Sequence, residues 1–260
     1  MTNPAIDNGA FDRLADSWWE EEGFLHLLQS LINPWRVPYF RRTLAALGID
    51  PKGRRALDVG CGGGLLAEEF AALGFVVSGI DPSVRSLGVA RDHAAANGLR
   101  IDYGAALGEQ LPFRDGAFEV VYCCDVLEHV ADWEAVVAES ARVLKGGGLF
   151  FFETINRTPM SRLVAIAAAQ QWPCTRIFPP NFHLWEMFIT PAELQQALTR
   201  QGLQHRQTVG GRPRLNLLRS FLLLRRLKRG RIGQAEFGRR LLLQESSDLS
   251  VGYAGYAVKP

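Results

Sequence analysis

A glycine-rich turn between a short apolar run and an amphipathic stretch constrains the fold more than any other feature of the sequence. Residues 56–59 are apolar apart from Asp58, and residues 60–64 read Gly-Cys-Gly-Gly-Gly. Apolar residues then recur at helical spacing over 65–73. A strand that enters a helix through such a turn is typical of a parallel α/β sheet, because glycine allows the positive φ angles that the turn requires.

The rest of the chain repeats the alternation of strands and helices. We predict further strands at 75–80, 118–123, 149–154 and 249–258, helices at 83–96, 133–144 and 191–200, and a turn at 145–148. This order predicts one doubly wound, Rossmann-like α/β domain over residues 1–260, with about seven strands and helical lid segments. Its expected parts are a helical cap at 10–47, a cofactor-binding core at 54–157, and lid or insertion segments at 158–182 and 212–243.

Composition excludes several classes of protein. The net charge of +2 is too small for a dedicated nucleic-acid binder. The four cysteines contain no CxxC pair, which disfavours a disulfide framework and a thiolate zinc site and fits a reducing compartment. No charged-then-apolar leader opens the sequence, and the apolar run at 163–169 is too short to span a bilayer. We therefore expect a cytoplasmic enzyme.

The acids near the glycine turn indicate which cofactor it binds. The turn lacks the GxGxxG spacing of dinucleotide folds, which disfavours a nicotinamide-dependent oxidoreductase. Asp58 lies at the end of the first strand, where a carboxylate would repel a pyrophosphate but suit an ammonium group. Asp81 ends the second strand and could accept hydrogen bonds from both hydroxyls of a ribose. Together these features favour S-adenosylmethionine (SAM), bound beside Gly60 and Gly62.

Several motifs resemble those of known enzymes. The core motifs are similar to the class I SAM-dependent methyltransferases: LDVGCGGG (57–64), GID (79–81), LPF (111–113), CDVLEHV (124–130) and LKGGG (144–148). The flanking motifs resemble the ubiquinone-biosynthesis O-methyltransferases: FDRLADSWW (11–19), INPWR (32–36), TINR (154–157), HLWE (183–186) and YAGYAV (253–258). The resemblance implies SAM-dependent methylation of a catechol-type hydroxyl on a polyprenylated quinone precursor.

The same resemblance implies further cofactor contacts. Arg36 would pair with the methionine carboxylate, which a guanidinium matches by its fork geometry. Cys124 would line the floor under the cofactor with its backbone, and Leu107 and Gly108 would border the adenine. The family's usual aspartate is missing from this last turn, so backbone groups would have to recognise the adenine.

A cluster of acidic and imidazole side chains follows the fourth strand. Asp125, Glu128 and His129 have i, i+3 and i+4 spacing, which predicts that they share one side of a helical turn. In the family, such a set with a downstream histidine, here His183, is associated with a divalent metal, so Mg²⁺, Zn²⁺ or Mn²⁺ is expected. Two alternatives stay open: Glu128 or His129 acts as a metal-free general base, or the cluster is structural.

Two segments could touch a membrane, where polyprenyl substrates lie. Residues 159–182 occupy the position of the family's lid, and residues 215–231 alternate leucines with arginine and lysine, as a basic amphipathic helix does. A solvated helix that packs its leucines on the domain is the alternative. Residues 210–214 also depart from the family's Tyr-Asn-Pro.

Three functions are consistent with these sequence features. The first is an O-methyltransferase that acts on a catechol or quinol, at the membrane surface or in the cytoplasm. The second is a methyltransferase for a natural product or another small molecule, and the third is a non-catalytic SAM-binding accessory protein. None of the three implies a nucleic-acid partner.

Overall fold

A computed structural model describes residues 6–260, and its centre is one eight-stranded sheet. The strand order is β3-β2-β1-β4-β5-β8-β6-β7, with β1 to β5 parallel and β8 antiparallel to both of its neighbours. The strands are β1 (Arg55–Val59), β2 (Val76–Asp81), β3 (Ile101–Ala105), β4 (Phe118–Cys124), β5 (Leu144–Ile155), β6 (Gln204–Pro213), β7 (Leu243–Ser246) and β8 (Gly252–Val258).

The helices connect the strands and cover both faces of the sheet. Polar caps start several of them: Thr190 and Glu193 form a capping box, and the Ser83 hydroxyl accepts a hydrogen bond from the Ser86 amide. The α-helices are α1 (Gly9–Arg13), α2 (Asn33–Ala46), α3 (Leu65–Ala72), α4 (Val84–Ala96), α5 (Trp133–Val143), α6 (Pro159–Ser161), α7 (Pro191–Arg200), α8 (Leu217–Lys228) and α9 (Gln234–Leu241). Two π-helical segments, Leu28–Ile32 and Arg162–Gln171, precede α2 and follow α6.

Three consecutive phenylalanines in β5 show how the sheet divides the core. Phe151 packs with α2, α3 and α4 on one face, whereas Phe150 and Phe152 pack with α5 and α7 on the other. All three side chains are buried. Successive side chains of a strand point to opposite faces, so an unbroken apolar run fits a strand covered on both sides.

The predicted α/β class and the helix boundaries in the core are confirmed, but three details were wrong. The sheet has eight strands rather than about seven, and three of them, β3, β6 and β7, had no predicted range. The two edge strands, β3 and β7, are short, are partly exposed and carry little apolar signal. The predicted turn at 145–148 lies inside β5, where the pairing with β4 shifts register between Phe118 and Val120. The last strand begins at 252 rather than 249.

The segments outside the core also differ from the predictions. Residues 158–182, predicted as a lid or insertion segment, contain α6 and the second π-helical segment at 159–171. The cap predicted at 10–47 is helical only in part, because residues 18–26 form turns and bends. No helix within residues 6–260 is long and apolar enough to cross a membrane.

Candidate active site

The glycine turn after β1 has the positive φ angles that its sequence predicts. Gly60, Gly62 and Gly64 all have positive φ angles, of 76°, 50° and 82°. A Cβ atom on Gly62 would lie 2.5 Å from the Trp18 ring, and one on Gly60 would lie 2.3 Å from the Val126 side chain. Any side chain would therefore clash, and the bare backbone borders the cavity at the carboxyl ends of the strands.

Two carboxylates flank this turn. Asp58 is buried, and its Oδ2 has no hydrogen-bond partner within residues 6–260. Burial raises the pKa of Asp58 well above its ordinary value, which identifies a site that would gain from a cationic neighbour. Asp81 accepts hydrogen bonds from the amides of Gly62, at 2.9 Å, and Ser83, at 2.8 Å, so it joins the glycine turn to the start of α4.

Arg36 also lines the cavity and has two carboxylate partners. Its Nη1 atom forms ion pairs with Asp125 and Glu153, and its Nε donates to the Asn33 Oδ1 atom at 2.8 Å. Burial raises the pKa of Glu153 to about 7, although Arg36 opposes that shift. Glu153 was not among the predicted site residues. Glu153 lines the same cavity because it is paired in register with Cys124 of β4, which also lines it.

Glu128 and His129 follow β4 in a 3₁₀ turn, and burial moves their pKa values in opposite directions. Burial, with the Asp125 charge, raises the pKa of Glu128 to about 8, and its Oε2 accepts a hydrogen bond from the Thr154 hydroxyl at 2.8 Å. Burial lowers the pKa of His129 to about 4, so its imidazole is neutral at pH 7. Among the described residues, nothing hydrogen-bonds to its Nδ1 atom.

His183 comes close to His129, as the sequence predicts. The two imidazole centroids are 5.0 Å apart, and burial also lowers the pKa of His183. The His183 amide donates to the Gln170 Oε1 atom at 2.8 Å, and Gln170 donates back to the His183 carbonyl oxygen. Gln170 belongs to the second π-helical segment, so this helix fixes the loop that carries His183.

The predicted metal site finds no support in this geometry. In the part of the chain described here, no group of three or more His, Cys, Asp or Glu side chains is placed to hold a metal ion. Asp125 points to Arg36, and Glu128 bonds to Thr154, so the two acids do not converge with His129 and His183.

All the predicted site residues nevertheless line one cavity. Its volume is about 1740 Å³, whereas sites for small ligands usually measure about 300–1,000 Å³. It extends from Asp81, past His129, to Trp172 and α8. The predicted residues on its walls are Arg36, Asp58, Gly60, Gly62, Asp81, Leu107, Gly108, Cys124, Asp125, Glu128, His129 and His183.

Trp18 is a further cavity residue that the sequence analysis did not place in the site. Its ring lies against Gly62 and Gly63, and its Nε1 donates to the Ser86 hydroxyl at 3.0 Å. Trp19 donates to the Gly63 carbonyl at 2.8 Å and stacks on His93. The adjacent tryptophans were a visible signal, but only the fold shows that they cover the glycine turn.

Comparison with known proteins decides the family. A family model described as a methyltransferase domain matches residues 57–152. The ubiquinone biosynthesis O-methyltransferase of Rhizobium leguminosarum bv. trifolii is 40% identical over 209 residues, which cover 76% of this chain and 82% of that protein. The enzyme of the same name from Bordetella bronchiseptica is 40% identical over 195 residues, covering 75% and 78%. This chain belongs to the ubiquinone biosynthesis O-methyltransferase family.

Solved structures agree with this family at the level of the fold. The magnesium protoporphyrin IX methyltransferase of Synechocystis PCC 6803, with bound SAH, superposes with a TM-score of 0.62 at 17% identity and covers 98% of this chain and 96% of its own. A SAM-dependent methyltransferase from Aquifex aeolicus gives 0.58 at 14% identity, with 98% and 100% covered. The resemblance found in the motifs is thus confirmed: this O-methyltransferase uses SAM and has the Rossmann-like fold.

Proposed function

We propose that this O-methyltransferase methylates a catechol-like hydroxyl on a quinone precursor with a long apolar tail. The main support for this proposal is the large cavity, which is polar at one end and apolar at the other. The polar end contains the acids, Arg36 and the two histidines. The apolar end lies between the second π-helical segment and α8, where Leu163, Trp172 and Phe221 line it.

The polar end fits SAM residue by residue. The Asp58 carboxylate, whose Oδ2 atom has no partner among the described residues, suits the ammonium group. Asp81 suits the ribose hydroxyls, and Arg36 suits the methionine carboxylate. Gly60 and Gly62 leave room for a close backbone approach. Leu107, Gly108 and the Cys124 backbone would border the adenine and the floor of the site.

When bound, SAM supplies an electrophilic methyl group on a sulfonium. An acceptor hydroxyl in the same cavity attacks the methyl carbon, the electron pair of the carbon–sulfur bond stays on sulfur, and the hydroxyl proton must leave. The cavity walls hold the acceptor in line, which is the main contribution that a protein makes to such a displacement.

His129 is the proposed acceptor of that proton. Its imidazole is neutral at pH 7, and its Nδ1 atom has no partner among the residues described. Glu128 is the alternative base, but its raised pKa keeps most of it protonated at pH 7, and it already accepts a hydrogen bond from Thr154. In this proposal Glu128 and Thr154 support the turn that carries His129.

A methylation screen tests the function. Short-chain catechols and demethylquinols, natural-product phenols and a no-acceptor control are incubated with methyl-labelled SAM, in excess EDTA and with added divalent cations. We expect methyl transfer to the tailed catechols, retained in EDTA because the two acids predicted as metal ligands, Asp125 and Glu128, have other partners. Preference for untailed phenols would favour the natural-product alternative. SAM binding without transfer to any acceptor would favour the accessory protein.

Asp81→Ala is expected to weaken SAM binding by about 10- to 150-fold, the range for the loss of a charge-assisted hydrogen bond. The ribose would lose its acceptor, and the glycine turn would lose the bond from the Gly62 amide. Isothermal calorimetry with SAM measures the effect. Asp102→Ala, an exposed aspartate on the neighbouring strand β3, is the matched control. Unchanged SAM affinity in the Asp81 variant would remove Asp81 from the cofactor site.

The apolar end of the cavity opens beside exposed leucines, which supports contact with a membrane. Leu217 is 65% exposed and Leu218 is 68% exposed, although both line the cavity. The same helix, α8, carries Arg219, Arg225, Arg226 and Lys228. Leucines next to cations suit an anionic lipid surface, from which a tailed substrate could enter directly. We therefore propose that α8 and the neighbouring π-helical segment form a peripheral membrane-docking surface.

Replacing Leu217 and Leu218 together with serine is expected to abolish most binding to vesicles of phosphatidylethanolamine and phosphatidylglycerol. The change removes the apolar contact and leaves every cation in place. Vesicle flotation at low and high salt measures it, since salt screens the attraction of the cations. Val84→Ser, at another exposed apolar position (66% exposed), is the control. Equal flotation of wild type and the double variant would contradict this surface.

A further inference from the structure

Arg36 is shared by two carboxylates whose freedom to move differs. Its side chain is only 3% exposed, and the same nitrogen, Nη1, contacts both Asp125 and Glu153. One guanidinium carries one positive charge, so it cannot balance two ionised carboxylates fully. A third carboxylate at this position, from a bound amino acid, would add repulsion inside a buried site.

Glu153 is the fixed partner. It lies within β5, paired in register with Cys124 of β4, and its side chain is 8% exposed. Asp125 is the exchangeable partner, because it follows the end of β4 and its side chain is 27% exposed to the cavity. Its φ of 57° lies in the left-handed region, which aspartate tolerates better than most residues.

We propose that Asp125 occupies, in the cofactor-free enzyme, the position on Arg36 that the methionine carboxylate of SAM takes. Binding of SAM then displaces the Asp125 side chain into the part of the cavity that receives the acceptor. The inference rests on the proposed function, which assigns Arg36 to the cofactor carboxylate.

The displacement gives the two substrates an order. Asp125 is three residues before Glu128 and four before His129, and all three line the same cavity. A carboxylate released from Arg36 therefore becomes available to the acceptor hydroxyl or to the base that receives its proton. The acceptor half of the site is complete only after SAM has bound. Asp125 is thus a positioning residue that couples the two half-sites.

Calorimetry on Asp125 variants tests the exchange without relying on turnover. Asp125→Asn and Asp125→Gly both suit a left-handed φ, and both remove the competing charge. SAM is expected to bind both variants about tenfold more tightly than wild type, because it no longer displaces a charge-assisted bond. Decarboxylated SAM, which lacks only the carboxylate, is expected to bind the variants no more tightly than it binds the wild type.

The sign of the change separates this mechanism from simple attraction. SAM and its decarboxylated analogue are both cations overall, so removing a nearby acid should otherwise weaken both. Asp115→Asn, at an exposed aspartate remote from Arg36, controls for net charge. Weaker or unchanged SAM binding in both Asp125 variants, or equal tightening of the two ligands, would overturn the inference. Failure of the wild type to bind SAM at all would instead overturn the proposed function and this inference with it.

Discussion

His129→Ala is expected to lower the rate of methyl transfer by about 10²–10⁴-fold, the usual contribution of a positioned general base. SAM affinity should stay close to that of the wild type, since His129 is assigned to the acceptor side of the cavity. Single-turnover rates with a short-chain catechol, together with SAM calorimetry, measure the two effects separately. Glu128→Gln is the matched control: it keeps the size of the side chain and an oxygen for the Thr154 hydroxyl, so a much smaller loss is expected.

The pH dependence of the rate distinguishes the two candidate bases. A histidine accepts a proton only while neutral, so with a pKa of about 4 His129 remains competent as the pH falls from 8 to 5. A carboxylate accepts a proton only while ionised, and with a pKa of about 8 Glu128 would lose competence over the same range. We expect a rate that changes little between pH 8 and pH 5. A tenfold fall per pH unit below 8, abolished in Glu128→Gln, would assign the base to Glu128.

Arg36→Ala is expected to destabilise the fold by about 3–5 kcal/mol at pH 8, as happens when one partner of a buried ion pair is removed. The substitution leaves Asp125 and the buried Glu153 without their cation. Urea unfolding measures the change. Arg42, in the same helix α2 as Arg36, forms an exposed ion pair with Glu245. Arg42→Ala is the control and should lower the free energy of unfolding by less than about 1 kcal/mol.

The free energy of unfolding that Arg36→Ala loses should be larger at pH 8 than at pH 6. Burial already raises the pKa of Glu153 to about 7, and without Arg36 that pKa must rise further. A carboxyl whose pKa is raised on folding stabilises the fold at pH values below its unfolded pKa of about 4.5, and that stability is lost as the pH rises through the folded value. Destabilisation should therefore shrink from pH 8 to pH 6, and Glu153→Gln should partly rescue the variant. An equal loss at both pH values would contradict this account.

Local sequence signals were sufficient for the core of the fold and for a set of predicted site residues that line one cavity. The glycine turn and the alternation of apolar runs predicted β1, β2, β4 and β5, because buried parallel strands are apolar on both faces. The site residues follow from position, since Asp81 and Cys124 end parallel strands whose carboxyl ends meet at one edge.

The sequence did not reveal contacts between side chains that lie far apart along the chain. Asp125 was predicted to join Glu128 and His129, because three residues at this spacing share a face of a regular helix. The backbone of Asp125 is left-handed instead, and its side chain pairs with Arg36, 89 residues earlier in the chain. Trp18 meets Gly62 only because the N-terminal cap folds over the sheet. No local pattern encodes either contact.

The placement of β8 has a consequence for how the enzyme is made. β8 lies between β5 and β6, so β6 and β7 join the parallel part of the sheet only through it. The ribosome, however, synthesises β8 after both of them. Until it emerges, a nascent chain can pair β1 to β5, while β6 and β7 lack the strand through which they join the sheet. The parallel part of the sheet is therefore expected to order first, and the β6–β7 part only once β8 is available.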